Sequence, residues 1–511
     1  MSPLQIGLLC VLVACVFRLL LGHLTSPLRH IQGPFLARFT DLWRFWDVWK
    51  GHAELTQRRL HDEYGDVVLL GPKCVSLTDP ALIKVIYGVK EKWIKSDFYS
   101  VNDFRIGNRI FPTGFSTRSE QQHTEITRPI SNLYSSSSVL RYEDRMETTI
   151  STFIDRLSSF ADSRMVCPID KWFHYCAWDI IASITFGSPF GFLDNGHDFQ
   201  SLIHRSILAT DYFAVVGQLP LLDKLLAKNP VCPLGPPSSS AAAAFAAKQL
   251  QARLDESDKH DKATAPDFLD DFLAIKNQDP NIPDTRIVQW LMRNVGAGSD
   301  STAISLRSVI YFVCRSANAK AKLQAEIDAH GISEQIQRGK VPAYSDLNKL
   351  EYLDAVVQES FRLHPAVALG LERVVPYGGF TLPDGRFLPA GTIVGVNPAV
   401  IQRRKDVFGK DADGFRPERW LRGRAEDGQW TESEEEFRTR LERMRGAMLV
   451  FGFGKRMCAG RHVAVIETIK ITASLLGAFD VEFVGDREWK TRNSWFHYQW
   501  GMDVVLTKRA G

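Results

Sequence analysis

One cysteine stands on a glycine-rich loop near the C-terminus, in the sequence FGFGKRMCAG at residues 451–460. Gly452, Gly454 and Gly460 allow the backbone to turn tightly and to approach a flat ligand more closely than a Cβ atom would permit. An apolar stretch that is typical of a helix, residues 462–476, follows immediately. This segment constrains the fold more than any other part of the chain, because it predicts that Cys458 is held against a flat ligand.

Positive charge surrounds this cysteine in the sequence. Lys455, Arg456 and Arg461 are close neighbours of Cys458. These cations and the dipole of the following helix both favour the thiolate, which is the form that binds iron. On the local sequence alone two other interpretations stay open: a buried structural cysteine, or a glycine loop that binds phosphate.

The order of residues in the loop resembles the haem-binding signature of the cytochrome P450 family. All five signature positions are filled, by Phe451, Gly454, Arg456, Cys458 and Gly460. The resemblance implies that the cofactor is haem b, with the Cys458 sulfur as the axial ligand of the iron and Arg456 bonded to a propionate. It also implies a mainly α-helical fold with small β-sheets, in which the haem lies between a long oxygen-binding helix and the cysteine loop.

A second motif, Glu359-Ser-Phe-Arg362, lies in an amphipathic helical pattern over residues 347–363. Glu359 and Arg362 are three residues apart and share one helix face, which alone predicts an ordinary surface ion pair. The resemblance implies instead a buried structural network completed by Arg419. Removal of one partner from such a network costs about 3–5 kcal/mol, so we expect Glu359→Ala to prevent haem incorporation.

A third motif, GAGSDST at residues 296–302, interrupts a helical pattern that extends over residues 287–310. Each glycine inside a helix costs about 1 kcal/mol relative to alanine. The residues alone leave close helix packing and hydroxyl groups bonded to the preceding turn as alternatives. The resemblance implies an oxygen-binding kink in which Asp300 and Ser301 relay protons and Thr302 shares this role. The family more usually has threonine at the position of Ser301.

The resemblance further implies that Arg373 pairs with a haem propionate, a task that suits the planar guanidinium group. One departure concerns the family pattern Trp-x-x-x-Arg, for which this chain has His123 and Thr127. We expect His123 to donate to a propionate with help from Arg128; an ordinary surface histidine is the alternative.

The N-terminus carries the one membrane signal. Residues 4–24 are apolar apart from Gln5, Arg18 and His23, and about 20 apolar residues span a bilayer. We therefore predict a transmembrane anchor at residues 1–24, a proline- and glycine-containing hinge at 25–40 and a catalytic domain at 41–511. A cleaved secretory signal is the alternative. Arg29 and Arg38 place the catalytic domain in the cytosol, and resemblance to eukaryotic members implies the endoplasmic reticulum membrane.

Composition agrees with a large globular enzyme of 511 residues, 45% hydrophobic, with a net charge of +3 and no nucleic-acid footprint. By family position the pocket is apolar and aromatic, which implies a hydrophobic small-molecule substrate. The stretches concerned are residues 98–115, 208–219, 295–297, 366–371 and 494–496. The sequence GPFLA at residues 33–37 and the pattern that follows His123 are similar to the fungal pisatin demethylase and benzoate hydroxylase groups.

These observations predict a membrane-bound monooxygenase of fungal secondary metabolism that uses dioxygen and electrons from an NADPH-cytochrome P450 reductase. The arginines of residues 432–445 are equally consistent with reductase docking and with a solvated helix face. Two other functions stay open: a haem-thiolate isomerase or dehydratase that needs no reductase, and a non-catalytic haem-binding sensor.

Overall fold

Helices form most of the chain in a computed structural model that describes residues 2–89, 92–106, 109–236, 240–255, 265–425, 429–486 and 488–509. In chain order the α-helices are α1 (Pro3–Leu24), α2 (Leu42–Trp49), α3 (Ala53–Tyr64), α4 (Ala81–Tyr87), α5 (Glu120–Thr127), α6 (Ser136–Val139), α7 (Glu143–Ser163), α8 (Ile169–Phe186), α9 (Phe192–Asn195), α10 (Leu202–Val216), α11 (Leu221–Leu225), α12 (Ser240–Asp255), α13 (Phe268–Gln278), α14 (Asp284–Gly298), α15 (Asp300–Arg315), α16 (Ala317–Ala329), α17 (Ile332–Gln337), α18 (Tyr344–Leu347), α19 (Glu351–Leu363), α20 (Pro398–Ile401), α21 (Lys405–Phe408), α22 (Glu434–Gly446) and α23 (Arg461–Ala478).

The strands are short and form small sheets, as the sequence predicts. They are β1 (Val67–Gly71), β2 (Cys74–Leu77), β3 (Ile94–Lys95), β4 (Phe104–Ile106), β5 (Arg109–Phe111), β6 (Cys167–Pro168), β7 (Arg373–Val374), β8 (Phe380–Thr381), β9 (Phe387–Leu388), β10 (Ile393–Val396), β11 (Phe479–Phe483), β12 (Lys490–Ser494), β13 (Phe496–Trp500) and β14 (Asp503–Lys508). The largest sheet has the order β1-β2-β10-β7-β3. Its antiparallel pair β3–β7 aligns Lys95 with Arg373, two cations on strands that are far apart in the sequence.

The core is built around α8, of which every residue except Lys171 is buried. A helix that is apolar on all sides belongs in the interior, and α8 packs against α7, α14 and α15. The helix α15 also packs against α19 and α23. The helix with the Glu359 motif and the helix after the cysteine therefore share α15 as a common neighbour.

The predicted interruption near the glycine motif is present: α14 ends at Gly298, and α15 begins at Asp300 after Ser299. The two glycines of this motif, Gly296 and Gly298, have different surroundings. A Cβ atom at Gly298 would lie 2.7 Å from the side chain of Ile181, so this glycine permits close packing against α8. A Cβ atom at Gly296 would meet nothing within 4 Å.

The N-terminal segment forms helix α1, whose described side chains are largely exposed. Within the part of the chain that the structure describes, no helix has the length and apolarity needed to cross a membrane. The predicted transmembrane anchor is therefore not confirmed. The segment predicted as a hinge is packed: Leu28 and Ile31 are buried in a cluster with residues of β1 and β2, and the Leu69 N–H donates to the Gln32 carbonyl at 2.8 Å.

Candidate active site

The cysteine loop is held in one conformation by its glycines and by a backbone hydrogen bond. The Cys458 N–H donates to the Phe451 carbonyl at 2.8 Å and closes the loop. Gly452 and Gly454 have φ values of +69° and +62°, which disfavour other residues. A Cβ atom at Gly454 would also overlap the carbonyl oxygen of Tyr87 at the end of α4. Phe451 packs edge-on against Phe361, with ring centroids 5.8 Å apart.

Cys458 is surrounded by protein but still has exposed surface, which places its side chain on the wall of an opening. Burial raises the pKa of the Cys458 thiol, while Arg293, the Gly460 N–H and Arg461 act in the opposite direction. Arg461 favours the thiolate as the sequence predicts, whereas the burial that opposes it is not visible in the sequence. A bound metal ion deprotonates a coordinating thiol outright.

Helix α14 passes near the cysteine and has exposed residues of its own. Arg293 lies on α14 and is close enough to affect the Cys458 thiol. In the next turn, Gly296 and Ala297 are exposed, although Val295 before them is 3% exposed. A Cβ atom added at Gly460, beside the cysteine, would meet nothing within 4 Å, as at Gly296. A thin space with glycine on both sides fits a flat group.

At one edge of the site four basic residues come together: Lys95, Arg373, Arg456 and His123. Lys95 is buried; its ammonium group donates to the Phe115 carbonyl at 2.6 Å. Burial and the charges of Arg373 and Arg456 hold the pKa of Lys95 well below its usual value. Burial and the charge of Arg456 lower the pKa of His123 to about 4.

One carboxylate, that of Glu120, partly balances this cluster. Its Oε1 lies 2.9 Å from the Arg456 guanidinium group, so Arg456 has a protein partner in addition to its predicted role. Among the described residues, Lys95 has no carboxylate at ion-pair distance. The structure does not bring Arg128 into the cluster, because its side chain is exposed at the end of α5. The cluster therefore carries more positive than negative charge.

The Glu359 motif forms a fully buried network. Two nitrogens of Arg362 donate to the Glu359 carboxylate at 2.7 and 2.8 Å. Arg419 Nε lies 3.3 Å from Glu359 Oε1, and the Trp420 indole N–H donates to Oε2 at 2.9 Å. Arg362 also donates to three backbone carbonyls, of residues 402, 412 and 414. The three charged residues of the sequence prediction therefore meet, and every oxygen of Glu359 has several donors.

The three residues predicted to relay protons face different surroundings. Ser301 lies beside the opening, and its hydroxyl donates to the Ala297 carbonyl at 2.7 Å. Asp300 is completely buried and accepts hydrogen bonds from several side chains. Thr302 is 1% exposed and faces Glu467 of α23. The structure thus brings Ser301, but not Thr302, to the opening.

Comparison with known proteins agrees with this geometry. Residues 38–506 match the family model described as cytochrome P450. The chain belongs to the cytochrome P450 family. The curated relative cytochrome P450 monooxygenase cfoH of Aspergillus candidus is 36% identical over 98% of this chain and 92% of its own length. Cytochrome P450 monooxygenase cicH of Emericella nidulans is 36% identical over 95% of this chain and 94% of its own length.

A solved cytochrome P450 structure, described as CYP102L1, has the same fold. It matches this cytochrome P450 with a TM-score of 0.72 and 20% identity, over 94% of this chain and 99% of its own. The mainly helical fold with small sheets is thereby confirmed. The relatives are named monooxygenases, which agrees with haem-dependent monooxygenase activity.

The residues of this cytochrome P450 fit the haem that membership implies. Cys458 offers a sulfur at the wall of a thin opening, and the glycines on both sides leave space that a Cβ atom would occupy. A haem carries two propionate groups, and the cluster at the edge of the site has an excess of buried positive charge. Among the residues that the structure describes, the Lys95 ammonium group contacts a carbonyl oxygen and the rings of Tyr99 and Phe115, each at 4.1 Å, and no carboxylate. It is therefore suited to one of the propionates.

Aromatic side chains form a cluster that packs near Ile304 of α15. The rings of Phe98, Phe213 and Trp495 are in mutual contact, with centroids 4.6–5.7 Å apart, and Phe115 joins them at 5.8 Å from Trp495. Trp495 has φ +69°, an uncommon value for a residue other than glycine. It stands at the tip of the β12–β13 hairpin, where strain often accompanies function.

Sequence analysis missed Lys95. The sequence offers only a weak signal for it, a lysine that directly follows the apolar pair Trp93 and Ile94. The partners of Asp300 were also missed, because they come from α8, α10 and β13, and no local pattern connects these elements.

Proposed function

We propose that this cytochrome P450 is a membrane-bound enzyme of fungal secondary metabolism that inserts one atom of dioxygen into a hydrophobic small molecule. We propose that its electrons come from NADPH through a cytochrome P450 reductase. The observation that carries the proposal is Cys458 on the wall of an opening, with the exposed turn Gly296–Ala297 on the nearby helix α14.

In this proposal the haem, when bound, supplies the activation of dioxygen. Cys458 would hold the iron, and Lys95, Arg373, Arg456 and His123 would hold the propionates. Arginine suits carboxylates because it stays charged and donates several hydrogen bonds. The Lys95 ammonium group also has several donors, and a propionate beside it would favour its charged form. The lowered pKa of His123, about 4, keeps its ring neutral near pH 7, so that it would donate one N–H to a propionate without adding charge.

Ser301 and Asp300 would handle protons. The Ser301 hydroxyl lies beside the opening and would hold a proton at its Oγ near the reacting oxygen. Asp300, the preceding residue, is ionised in this arrangement and would first take up the proton that it passes on. Thr302 is not included, because its surroundings are Glu467 and the protein core.

The substrate would lie under the aromatic cluster of Phe98, Phe115, Phe213 and Trp495. Such a wall excludes water and holds an apolar molecule by shape, with few polar contacts. Aromatic rings also favour flat, ring-containing ligands, because ring pairs gain energy beyond the burial of their surface.

Membrane attachment would use α1 and the exposed apolar residues that follow it. Leu4 and Phe17 on α1 are 75% and 66% exposed, and Phe35 is 72% exposed. The reductase would approach α22, where Arg438 and Arg445 are exposed. Arg440 is held by Glu432 at 2.6 Å, so it would contribute less.

The test compares metabolites, by accurate mass, in the native host with the intact gene, with Cys458→Ala and with the control Cys232→Ala. Cys232 is exposed and lies outside the site, so its loss should change nothing. We expect the host that carries Cys458→Ala to accumulate a precursor that is lighter than the normal product by one oxygen atom. If the host with Cys458→Ala accumulates an isomer of the normal product, the result would instead support an isomerase. If its metabolites are unchanged although the gene is expressed, the result would support a haem sensor.

A further inference from the structure

Helix α10, which carries Phe213 of the aromatic cluster, is joined to the β12–β13 hairpin by polar side chains on one of its faces. Thr210 Oγ1 lies 3.1 Å from the Tyr498 hydroxyl. Asp211 Oδ1 accepts from Arg492 at 2.8 Å and from the Ser494 hydroxyl at 2.6 Å. These contacts hold α10 against the hairpin that carries Trp495 at its tip, and so hold it over the pocket.

One further residue of this face, Ser206, reaches Asp300. The Ser206 hydroxyl donates to Asp300 Oδ2 at 2.6 Å, and the Tyr498 hydroxyl donates to the same oxygen at 2.9 Å. His174 Nε2 and the Trp178 indole N–H each lie 3.0 Å from Oδ1. The Asp300 carboxylate therefore has two donors on each oxygen.

The donors on Oδ1 are fixed. His174 and Trp178 belong to the buried helix α8. Arg307 has no acceptor group, and its Nη2 lies 2.8 Å from His174 Nδ1, so Nδ1 accepts and Nε2 carries the hydrogen that Asp300 receives. Arg307 in turn donates to the Asp170 carbonyl.

The donors on Oδ2 differ in exposure. Tyr498 is fully buried, whereas Ser206 is half-buried on a surface helix. Solvent can therefore reach the Asp300 carboxylate on the side of Ser206, and it can do so only if α10 moves and takes Ser206 with it.

A carboxylate that accepts hydrogen bonds from four donors is a poor proton acceptor. Burial favours the neutral acid, but the hydrogen bonds from His174, Ser206 and Trp178 outweigh it and hold the pKa of Asp300 below its usual value. Hydrogen bonds to the charged form of an acid always act in this direction. The other ionisable groups that face Asp300 and His174 are Tyr498, Arg307 and Asp170.

We infer that Ser206 is a positioning residue that couples the closure of α10 over the pocket to the uptake of a proton by Asp300. With α10 in place, Ser206 keeps the carboxylate ionised and shielded from water. With α10 displaced, Oδ2 loses this donor and takes one proton from solvent, and no other bond changes. The inference rests on the proposed role of Asp300 in proton supply.

The first test follows the protonation of Asp300 directly, by infrared difference spectroscopy of the haem-loaded protein over a pH series. The Asp300 band is identified as the carboxyl band that Asp300→Asn removes. We expect Ser206→Ala to raise the pH midpoint of this band by about one unit, a tenfold change in proton affinity, since it removes a donor to the charged form. Ser206→Thr keeps the hydroxyl and should restore the original midpoint.

Thr210→Val is the matched control, because it weakens the contact of α10 with Tyr498 but leaves all four donors of Asp300. Both Thr210→Val and Ser206→Ala should speed hydrogen–deuterium exchange of the α10 amides and the association of imidazole with the ferric haem. Ser206→Ala should move the infrared midpoint most, whereas Thr210→Val should move it less and in the same direction, because its closed form keeps all four donors of Asp300. An unchanged midpoint in Ser206→Ala, or an unchanged midpoint in Thr210→Val although its α10 amides exchange faster, would overturn the inference.

The role of Asp300 in proton supply, which belongs to the proposed function, is tested by a separate measurement. If Asp300→Asn consumes NADPH and releases peroxide at the rates of the unaltered enzyme, Asp300 does not supply protons, whatever Ser206 does to its protonation.

Discussion

Glu467 on α23 gives a quantitative prediction about stability. Its side chain is completely buried, and neither carboxylate oxygen has a hydrogen-bond partner among the described residues. Burial raises the pKa of Glu467 from 4.5 to about 8. The Thr302 hydroxyl faces the carboxyl group without a hydrogen bond of good geometry, and it counteracts this rise only in part. Glu467 is therefore a neutral acid at pH 7 and destabilises the folded state when it ionises.

The direction of the pH effect follows from linkage. The folded state binds this proton more tightly than the unfolded state does, so the stability is greatest below the unfolded pKa. It falls as the pH rises from about 4.5 to about 8 and is constant above that. Because each pH unit in this interval costs about 1.4 kcal/mol, the loss is about 3 kcal/mol at pH 7 and about 5 kcal/mol above pH 8.

The substitution Glu467→Gln removes the ionisation and retains the shape. We expect it to have little effect at pH 4.5 and to raise the free energy of unfolding by an amount that grows to about 3 kcal/mol at pH 7. Urea unfolding of the haem-loaded proteins, followed by tryptophan fluorescence from pH 5 to 9, measures this difference. Glu482→Gln is the control, since Glu482 is exposed. Parallel pH profiles for Glu467→Gln and the unaltered protein would refute the argument.

Three further substitutions have defined outcomes. Glu359→Gln should lower the free energy of unfolding by about 3–5 kcal/mol and reduce haem content, because the buried Arg362 loses its counter-charge and Arg419 keeps only Asp411; normal haem absorbance would contradict this. Asp300→Asn should retain haem and release more peroxide per NADPH consumed, which a peroxide assay checks. Lys95→Gln should speed the transfer of haem to apomyoglobin, whereas the exposed Lys92→Gln should not; equal rates would exclude a propionate contact at Lys95.

Much of the site was predictable where its residues are neighbours in the sequence. The cysteine loop, the Glu359–Arg362 pair and the interruption between α14 and α15 each arise from a few consecutive residues, and the structure contains all three features. The distinction between Gly296 and Gly298 was not predictable, because it depends on the position of Ile181 on another helix.

The rest of the site depends on contacts between distant parts of the chain. The register of β3 and β7 brings Lys95 to Arg373, and the fold brings Glu120 to Arg456. A strand register is decided by the whole sheet, so a single lysine after two apolar residues carries little information by itself. The pKa of Cys458 shows the same limit, because the charges were visible in the sequence and the burial was not.

The distribution of the site along the chain also affects the order in which the protein can be assembled. Roughly 360 residues separate Lys95 from Cys458, and at about 5–20 residues per second a ribosome needs roughly 20–70 s to make them. For most of that interval Lys95 has neither Arg373 nor Arg456 beside it, and Cys458 is not yet present to hold iron. The newly made chain can therefore gain its cofactor only after nearly the whole chain has been synthesised. We expect the yield of active enzyme to depend on the haem that is available from that stage onward.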